Sequence, residues 1–422
     1  MKVIDQLLQK LVEMGGSDLH ILPGLPPGAR VNGELGPYPG FPPMTPKQTQ
    51  THIYEVLTPE QIRQFETDAT RRFELDFAYS IAGVGRFRFN VHMSRGSVAA
   101  TIRALAREAP TLAKLKLHPS CTMLCGEKRG LLLVTGPTGS GKSTTLAAMI
   151  DHINSNRPDH ILTIEDPIEY VHPSKRAYVT QREVGDSADT LSFKNALKYA
   201  LRQDPDVILV GEMRDYETIG IAITAAETGH LVFGTLHTSS AAQTIGRIVD
   251  VFPSDQQPQV RTQLGSNLIA TLAQVLFPRA DGNGRVLAQE IMINNAAIRN
   301  NILAGKVEQL NQIMSTSRGE GMQTMDHALT VLAQQRMVTY EDAEPYISTD
   351  AARQAIKSAA PPRRRTEREA RMKAAGAGLP DAPPSPMAPM PPLQPMTPPP
   401  PLQPRQDAPP AGGPNKNLAD FL

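Results

Sequence analysis

The segment GLLLVTGPTGSGKSTTLAAMI, residues 130–150, decides the fold of this 422-residue chain. An apolar run leads into a loop that contains Gly136, Gly139 and Gly141, and a helix-forming run follows it. Glycine lets the backbone of such a loop curl until its N–H groups point inward, which creates a concavity that binds anions. The loop matches G-x-x-x-x-G-K-S in the strand–loop–helix context that this phosphate-binding motif requires. The segment therefore predicts a nucleotide-binding α/β domain.

The same motif predicts how a nucleotide is held. Lys142 would reach the β- and γ-phosphates of ATP, the helix N-terminus would add positive dipole, and the Ser143 hydroxyl would bind Mg²⁺. The predicted nucleotide-binding residues are Gly136, Pro137, Thr138, Gly139, Ser140, Gly141, Lys142, Ser143 and Thr144. ATP and Mg²⁺ are the predicted ligand and cofactor.

Acidic residues follow the next apolar strand, in TIEDPIEY at 163–170. Glu165, Asp166 and Glu169 would lie where strands of a parallel sheet present ligand sites. Three carboxylates would repel a polyphosphate unless a cation stood between them, so we expect Glu169 or a neighbouring acid to support Mg²⁺ through water, together with Ser143. The alternative is a solvated loop with helix-capping acids.

Two further strand ends complete the predicted site. VILVGEMRD, residues 207–215, ends an apolar strand in Glu212, preceded by Gly211 where most enzymes with this loop have a magnesium-binding Asp. Glu212 is predicted to polarise the attacking water. In GHLVFGTLHTSSA, residues 229–241, His237 is predicted to contact the γ-phosphate, although a lone histidine at a strand end is more often a surface residue.

Bulk composition excludes several function classes. The chain carries 43 basic and 42 acidic residues, and a net charge of +1 exerts little long-range attraction on nucleic acid or anionic lipid. Aromatic residues make up 5%, which is few for a channel that stacks bases, so no nucleic-acid partner is expected. Cys121 and Cys125 are the only cysteines, which fits a reducing compartment.

The chain divides into three parts by pattern. Residues 1–110 predict a small α+β domain, in which RFELDFAYS and GRFRFNVHM alternate apolar and polar residues and should pair as an antiparallel hairpin. Residues 111–350 predict a mostly parallel sheet covered by helices, with helices alone from 285 to about 350. Residues 351–422 are basic and then proline-rich, with 18 of the 38 prolines after residue 360, and predict a disordered tail. The tail could be independent of the folded domains, or it could bind a partner that recognises proline motifs.

These segments together resemble the secretion-type ATPases, the superfamily that drives type II secretion and type IV pili. GPTGSGKST resembles its Walker A box, TIEDPIEY its Asp box, DPDVILVGEMRD its atypical Walker B box and TAAETGHLVFGTLHTSSA its His box. The resemblance covers about residues 1–345. Within the superfamily, GGSDLHILPGLPPGARVNGEL and the AIRN motif at 297–300 are most similar to the retraction branch of twitching motility, whereas NILAGK departs from its usual continuation. An accessory retraction ATPase, or a pilus-extension or type II secretion ATPase, therefore stays open.

The resemblance implies a RecA-like P-loop core beside a PAS-like N-terminal domain, assembled as a cytoplasmic homo-hexamer that retracts pili. Nucleotide would lie at the subunit interface, and Arg86, Arg88 and Arg103 are the candidates to reach a neighbour's phosphates. The implied partner is an inner-membrane pilus platform protein, through which the ring would associate peripherally with the membrane. These arginines could instead be ordinary solvent-exposed residues on the polar face of their strands, with no role at a neighbour's nucleotide. The rival functions are a nucleic-acid translocase and a non-enzymatic accessory subunit.

Overall fold

The computed structural model describes residues 2–31, 34–38, 40–67, 73–105, 108–185 and 189–362, which form two β-sheets with their covering helices. The first sheet has the strand order β3-β2-β1-β6-β5-β4, and every neighbouring pair is antiparallel. Its strands are β1 (Gly16–Ile21), β2 (Gly28–Val31), β3 (Glu34–Pro37), β4 (Glu74–Ile81), β5 (Gly85–Ser94) and β6 (Ser97–Ala104). The predicted hairpin is confirmed, since β4 and β5 pair with Phe77 opposite Phe89.

Three helices cover the apolar side of this sheet: α1 (Val3–Glu13), α2 (Pro46–Tyr54) and α3 (Pro59–Thr67). Apolar residues at helical spacing in α1 are buried against alternate residues of β1 and β6. The alternation leaves the opposite side of the sheet polar, because successive strand residues point to opposite faces. That polar side carries Arg86, Arg88 and Arg103.

The second sheet has the order β13-β12-β7-β11-β10-β8-β9, and its neighbours are parallel except for the antiparallel pair β12–β13. Its strands are β7 (Gly130–Thr135), β8 (His160–Glu165), β9 (Tyr178–Glu183), β10 (Val207–Val210), β11 (Leu231–Leu236), β12 (Leu268–Pro278) and β13 (Arg285–Ile293). Strands β7, β10 and β11 are buried at every position, as apolar strands covered on both faces must be. The prediction of a mixed α/β fold with a mostly parallel sheet is confirmed.

Helices cover both faces of this second sheet and extend beyond it. They are α4 (Pro119–Leu124), α5 (Lys142–Asn156), α6 (Phe193–Ala200), α7 (Tyr216–Glu227), α8 (Ala241–Asp250), α9 (Gln257–Asn267), α10 (Ala296–Leu303), α11 (Leu310–Thr316), α12 (Met325–Gln334), α13 (Tyr340–Ala343) and α14 (Asp350–Ala359). Short 3₁₀ turns span Val307–Gln309, Arg318–Glu320 and Glu344–Tyr346.

The structure corrects the prediction that residues 285 to about 350 form helices alone. Residues 285–293 are β13, which pairs along β12 from Arg285 opposite Pro278 to Ile293 opposite Ala270. The segment AIRNNILAGKVEQLNQIM forms two α-helices, α10 and α11, because Gly305 adopts φ +69° after Leu303 and breaks the helical path.

The boundary predicted at residue 350 is also wrong, since α14 spans Asp350–Ala359 and contacts α12. Thr349 caps this helix and donates its hydroxyl to Asp326 at 2.6 Å. The remainder of the predicted disordered tail, from residue 363, lies outside the described residues. Among the helices that are described, none is long and apolar enough to cross a membrane.

Candidate nucleotide-binding site

Four loops meet at the carboxyl edge of the second sheet, after β7, β8, β10 and β11. They enclose a cavity of about 210 Å³. Its lining includes residues predicted for the site from each loop: Thr138, Gly139, Lys142, Ser143, Glu169, Glu212 and His237. Chain segments about a hundred residues apart therefore converge, because the carboxyl ends of adjacent parallel strands share one edge.

The glycine loop between β7 and α5 has the close packing and left-handed residues that only glycine supplies. Gly136 adopts φ +142°, and a Cβ there would lie 2.3 Å from the carbonyl oxygen of Gln274. Gly141 adopts φ +90° at the start of α5. Lys142 donates from Nζ to the Gly136 carbonyl at 2.7 Å and to the Pro137 carbonyl at 3.2 Å. Burial lowers the pKa of Lys142, while Glu212 and Glu169 act in the opposite direction.

Two hydroxyl groups on the first turn of α5 form hydrogen bonds with the loop that follows β8. Ser143 donates from Oγ to Oε1 of Glu169 at 3.0 Å, and Thr144 Oγ1 lies 3.1 Å from the Tyr170 hydroxyl. An alcohol beside a carboxylate is the oxygen donor set that Mg²⁺ accepts. The described residues contain no cluster of three or more His, Cys, Asp or Glu that could enclose a metal.

The other acids after β8 differ from Glu169 in their surroundings. Glu165 accepts from Thr163 at 2.7 Å and from Gln181 at 3.1 Å. Burial raises the pKa of Glu165, although these hydrogen bonds oppose the shift. Asp166 is exposed at the cavity rim. Glu169 is therefore the acid of this loop that touches the glycine-loop helix.

Glu212 is held from two sides after β10. Its carboxylate accepts from Arg214 at 2.5 and 2.7 Å and lies 2.9 Å from Nε2 of His237. The Arg214 guanidinium is the main cause that holds the pKa of Glu212 below its usual range, and His237 contributes, whereas burial opposes both. The group is therefore an ionised carboxylate at neutral pH.

Crowding by the backbone of β8 explains why position 211 is a glycine. A Cβ at this position would lie 3.0 Å from the Ile164 carbonyl oxygen and 3.2 Å from Cα of Glu165. The Gly211 amide donates to that same carbonyl at 2.7 Å, so β8 and β10 are joined at this point. A side chain here would press its Cβ against the backbone of β8, and the acid that contacts Ser143 is Glu169.

The three predicted arginines do not line the cavity. Arg86 pairs with Glu183 at 2.9 Å, and Arg103 pairs with Asp18 at 2.8 Å. Arg88 is exposed beside Arg103 in the β5–β6 register and makes no ion pair with a described residue. The structure thus separates Arg86, which is held by its own chain's ATPase sheet, from the other two.

Sequence reasoning missed several polar residues of the site. Gln274, buried in β12, donates to Thr145 Oγ1 at 2.9 Å and supports the glycine loop from beneath. Its signal was a lone amide in the apolar run LIATLAQVLFP. Tyr170 and Arg214 lay inside quoted motifs without an assigned role.

A second cavity, of about 900 Å³, opens beside Gly141, Thr144 and Thr145 and is lined by apolar residues and cations from β12, β13, α12 and the segment before α4.

This chain is similar to known proteins both in sequence and in fold. The family described as Type II/IV secretion system protein matches residues 94–381. The type IV pilus retraction ATPase PilT of Pseudomonas aeruginosa is 47% identical over 340 residues, which cover 81% of this chain and 96% of the relative. The type IV pilus ATPase PilU of the same organism is 44% identical over 339 residues, or 80% of this chain and 87% of the relative. The crystal structure of the pilus retraction motor PilT with bound ADP superposes with a TM-score of 0.76 at 48% identity, covering 83% of this chain and 98% of that one.

The predicted resemblance is confirmed by three independent comparisons, of family pattern, of sequence over nearly the whole relative and of fold. The chain therefore belongs to the family of type II/IV secretion system ATPases.

Proposed function

We propose that this chain is an ATP-driven motor that retracts type IV pili. The observation that carries the proposal is the convergence of Lys142, Glu169, Glu212 and His237 on one cavity. The chain that carries it is similar along most of its length to a pilus retraction ATPase. In this proposal the core is a RecA-like P-loop domain and the N-terminal sheet is PAS-like.

The triphosphate of ATP would occupy the smaller cavity. Lys142 would exchange its bonds to the Gly136 and Pro137 carbonyls for phosphate oxygens, since the ammonium already points across the glycine loop. The second cavity adjoins the loop at Gly141 and Thr144, and its apolar walls suit the flat face of a base. The base and ribose would therefore lie between the glycine loop and the β12–β13 hairpin.

Ser143 and Glu169 would hold Mg²⁺, Glu169 directly or through a water molecule. A metal ion held there would supply positive charge that offsets negative charge on the phosphates. Ser143 and Glu169 are already hydrogen-bonded to each other, so the two ligands are positioned before the cofactor arrives.

Glu212 would orient the attacking water. Its lowered pKa keeps it ionised at neutral pH but also makes it a weak base. The carboxylate therefore polarises the water as the bond to phosphorus forms, and does not take its proton beforehand. His237, 2.9 Å from Glu212, would sense whether the γ-phosphate is present.

The working assembly would be a homo-hexamer that acts on an inner-membrane pilus platform protein. Across the polar side of the N-terminal sheet, Arg30, Asp18, Arg103 and Arg88 stand opposite one another on adjacent strands. The arginine side chains outnumber the single carboxylate, which favours an approaching anion. Arg88 and Arg103 would contact a neighbour's nucleotide, as arginine fingers do.

Phosphate release by the purified chain tests the enzymatic part. The Glu212→Gln variant should retain ATP binding and lose turnover by roughly 100-fold or more, because the water loses its polarising carboxylate. Glu217→Gln is the matched control, since Glu217 pairs with Lys194 on the surface. Equal turnover in the Glu212→Gln variant and the parent would remove Glu212 from this role. Turnover no higher than in a Lys142→Ala variant would support a non-enzymatic subunit.

Deletion in the native cell tests the direction of force. Loss of surface crawling with surplus surface pili is expected, and complementation by the parent but not by the Glu212→Gln variant should reverse both. Bald cells would instead indicate pilus extension. An accessory retraction ATPase is the second candidate, because the similarity to PilU is almost as high as that to PilT. It predicts that retraction persists in the deletion strain at reduced force.

A further inference from the structure

An ion pair joins the two sheets of this chain directly. Arg86 on β5 donates from Nη2 to Oε2 of Glu183 at 2.9 Å, and Glu183 is the last residue of β9. The exposed fraction of the side chain is 27% for Arg86 and 10% for Glu183. The contact therefore links the polar side of the N-terminal sheet to the edge strand of the ATPase sheet in a partly desolvated place.

The same carboxylate also holds the acidic loop after β8. Oε2 of Glu183 accepts the amide of Ile168 at 3.3 Å. Ile168 precedes Glu169, which accepts the Ser143 hydroxyl. A continuous series of contacts thus runs from Arg86 through Glu183 and the loop to the first turn of α5.

Arg86 stabilises the Glu183 carboxylate in its nearly buried position. Glu183 stands opposite Glu165 in the parallel register of β8 and β9, so two acidic residues are neighbours at this edge. Among the described residues, Arg86 is the only cation that forms an ion pair with Glu183. A nearly buried carboxylate whose cationic partner is withdrawn is strongly destabilised, in contrast to an exposed pair.

We propose that Arg86 and Glu183 form an intrachain latch through which the position of the N-terminal domain controls the position of Glu169. Arg86 is then a positioning residue within one chain, and the arginines that act on a neighbour are Arg88 and Arg103. When the N-terminal domain turns away, Glu183 loses its cation and its hold on the Ile168 amide, and the loop that carries Glu169 is released. The step that concerns Mg²⁺ rests on the function proposed above.

Hydrogen exchange tests the Arg86–Glu183 latch itself, with no measurement of ATP turnover. Arg86→Ala, Glu183→Gln and the double variant are compared with the parent by hydrogen exchange of the segment 166–170 in the nucleotide-free protein. Each single variant should accelerate exchange there, and the double variant should add little, because one contact is removed in all three. Arg63→Ala is the control, since Arg63 forms an exposed pair with Glu60 within α3. The conservative variant Arg86→Lys keeps a cation beside Glu183 and should retain most of the protection; unchanged exchange in the single variants, or additive effects, would overturn the latch.

Mixed rings separate a latch from an arginine that reaches a neighbour. Arg86→Ala subunits mixed with Lys142→Ala subunits should show no recovery of turnover, because each active site needs its own Arg86. Arg88→Ala subunits in the same mixture should recover. Recovery with Arg86→Ala would overturn the inference.

The coupling to the metal position is read from fluorescent ADP binding at increasing Mg²⁺ concentration. The half-saturating Mg²⁺ concentration should rise by roughly three- to tenfold in Arg86→Ala, as coupling between contacting residues gives, whereas affinity without Mg²⁺ stays unchanged. An unchanged Mg²⁺ requirement in Arg86→Ala beside a raised one in Glu169→Gln would refute the coupling alone. An unchanged requirement in Glu169→Gln would refute the proposed role of Glu169 instead.

Discussion

Substitution of Gly211 tests whether crowding explains the absence of the usual Asp. The prediction concerns Gly211→Ala, which adds a Cβ and nothing else. That atom would lie 3.0 Å from the Ile164 carbonyl oxygen and 3.2 Å from Cα of Glu165. Both neighbours are backbone of β8, which is held between β9 and β10, so neither can move aside without disturbing the sheet.

The magnitude follows from two opposing effects. Overpacking a well-packed interior costs about 1–3 kcal/mol, and replacing glycine lowers the entropy of the unfolded chain, which returns about 0.4–1 kcal/mol. The net loss in the free energy of unfolding is therefore about 1–2 kcal/mol. Gly211→Asp should lose more, because its carboxylate would also enter a site that already contains Glu165 and Glu169.

Urea unfolding followed by far-ultraviolet circular dichroism measures the effect, since the chain contains no tryptophan for fluorescence. Gly246→Ala is the matched control. Gly246 lies within α8 with nothing within 4 Å of the added atom, so the substitution should stabilise the protein by about 0.5–1 kcal/mol. If Gly211→Ala were as stable as Gly246→Ala, crowding by β8 could not be the reason for glycine at this position.

The remaining predictions concern pH. Removing the guanidinium in Arg214→Gln should raise the pKa of Glu212, because Arg214 is the main group that lowers it; the acidic limb of the kcat/KM profile should then move to higher pH, and an unmoved limb would contradict the assignment. Burial raises the pKa of Glu290 above its ordinary value of 4.5, although backbone amides of Ala241 and Met325 oppose the shift. The folded state therefore binds this proton more tightly than the unfolded state, and stability that is present below pH 4.5 is lost as the pH rises through the folded pKa. Glu290→Gln has no such proton, so its urea midpoint relative to the parent should increase over that window; a difference that is constant from about pH 4 to pH 8 would refute this.

Much of the candidate site was predictable because its signals are local. The glycine loop, Lys142 and Ser143 form one unbroken segment whose spacing requires a strand before it and a helix after it. Glu169, Glu212 and His237 each follow an apolar strand, and parallel strands bring such positions to one edge whatever their separation along the chain. Composition and alternation likewise predicted a small α+β domain with one antiparallel hairpin at the N-terminus, and a covered, mostly parallel sheet after it.

Other features depend on partners that no local pattern specifies. The β12–β13 hairpin carries an apolar pattern that predicts a helix equally well, and pairing with β7 decides between them. Gly305 is a residue type that commonly ends helices, but whether it does so here depends on the left-handed conformation that it adopts in the structure.

The sequence by itself determined that this chain binds a nucleotide at the end of a parallel sheet, because that chemistry resides in short segments with fixed spacing. Only the tertiary structure decided which arginine is held by the ATPase sheet of its own chain, what crowds a side chain at position 211, and what supports the glycine loop. Arg86 meets Glu183 across 97 residues, and Gln274 meets Thr145 across 129. Contacts of this kind depend on distances of about 3 Å between side chains that only folding brings together, so they follow from tertiary packing and not from any one segment.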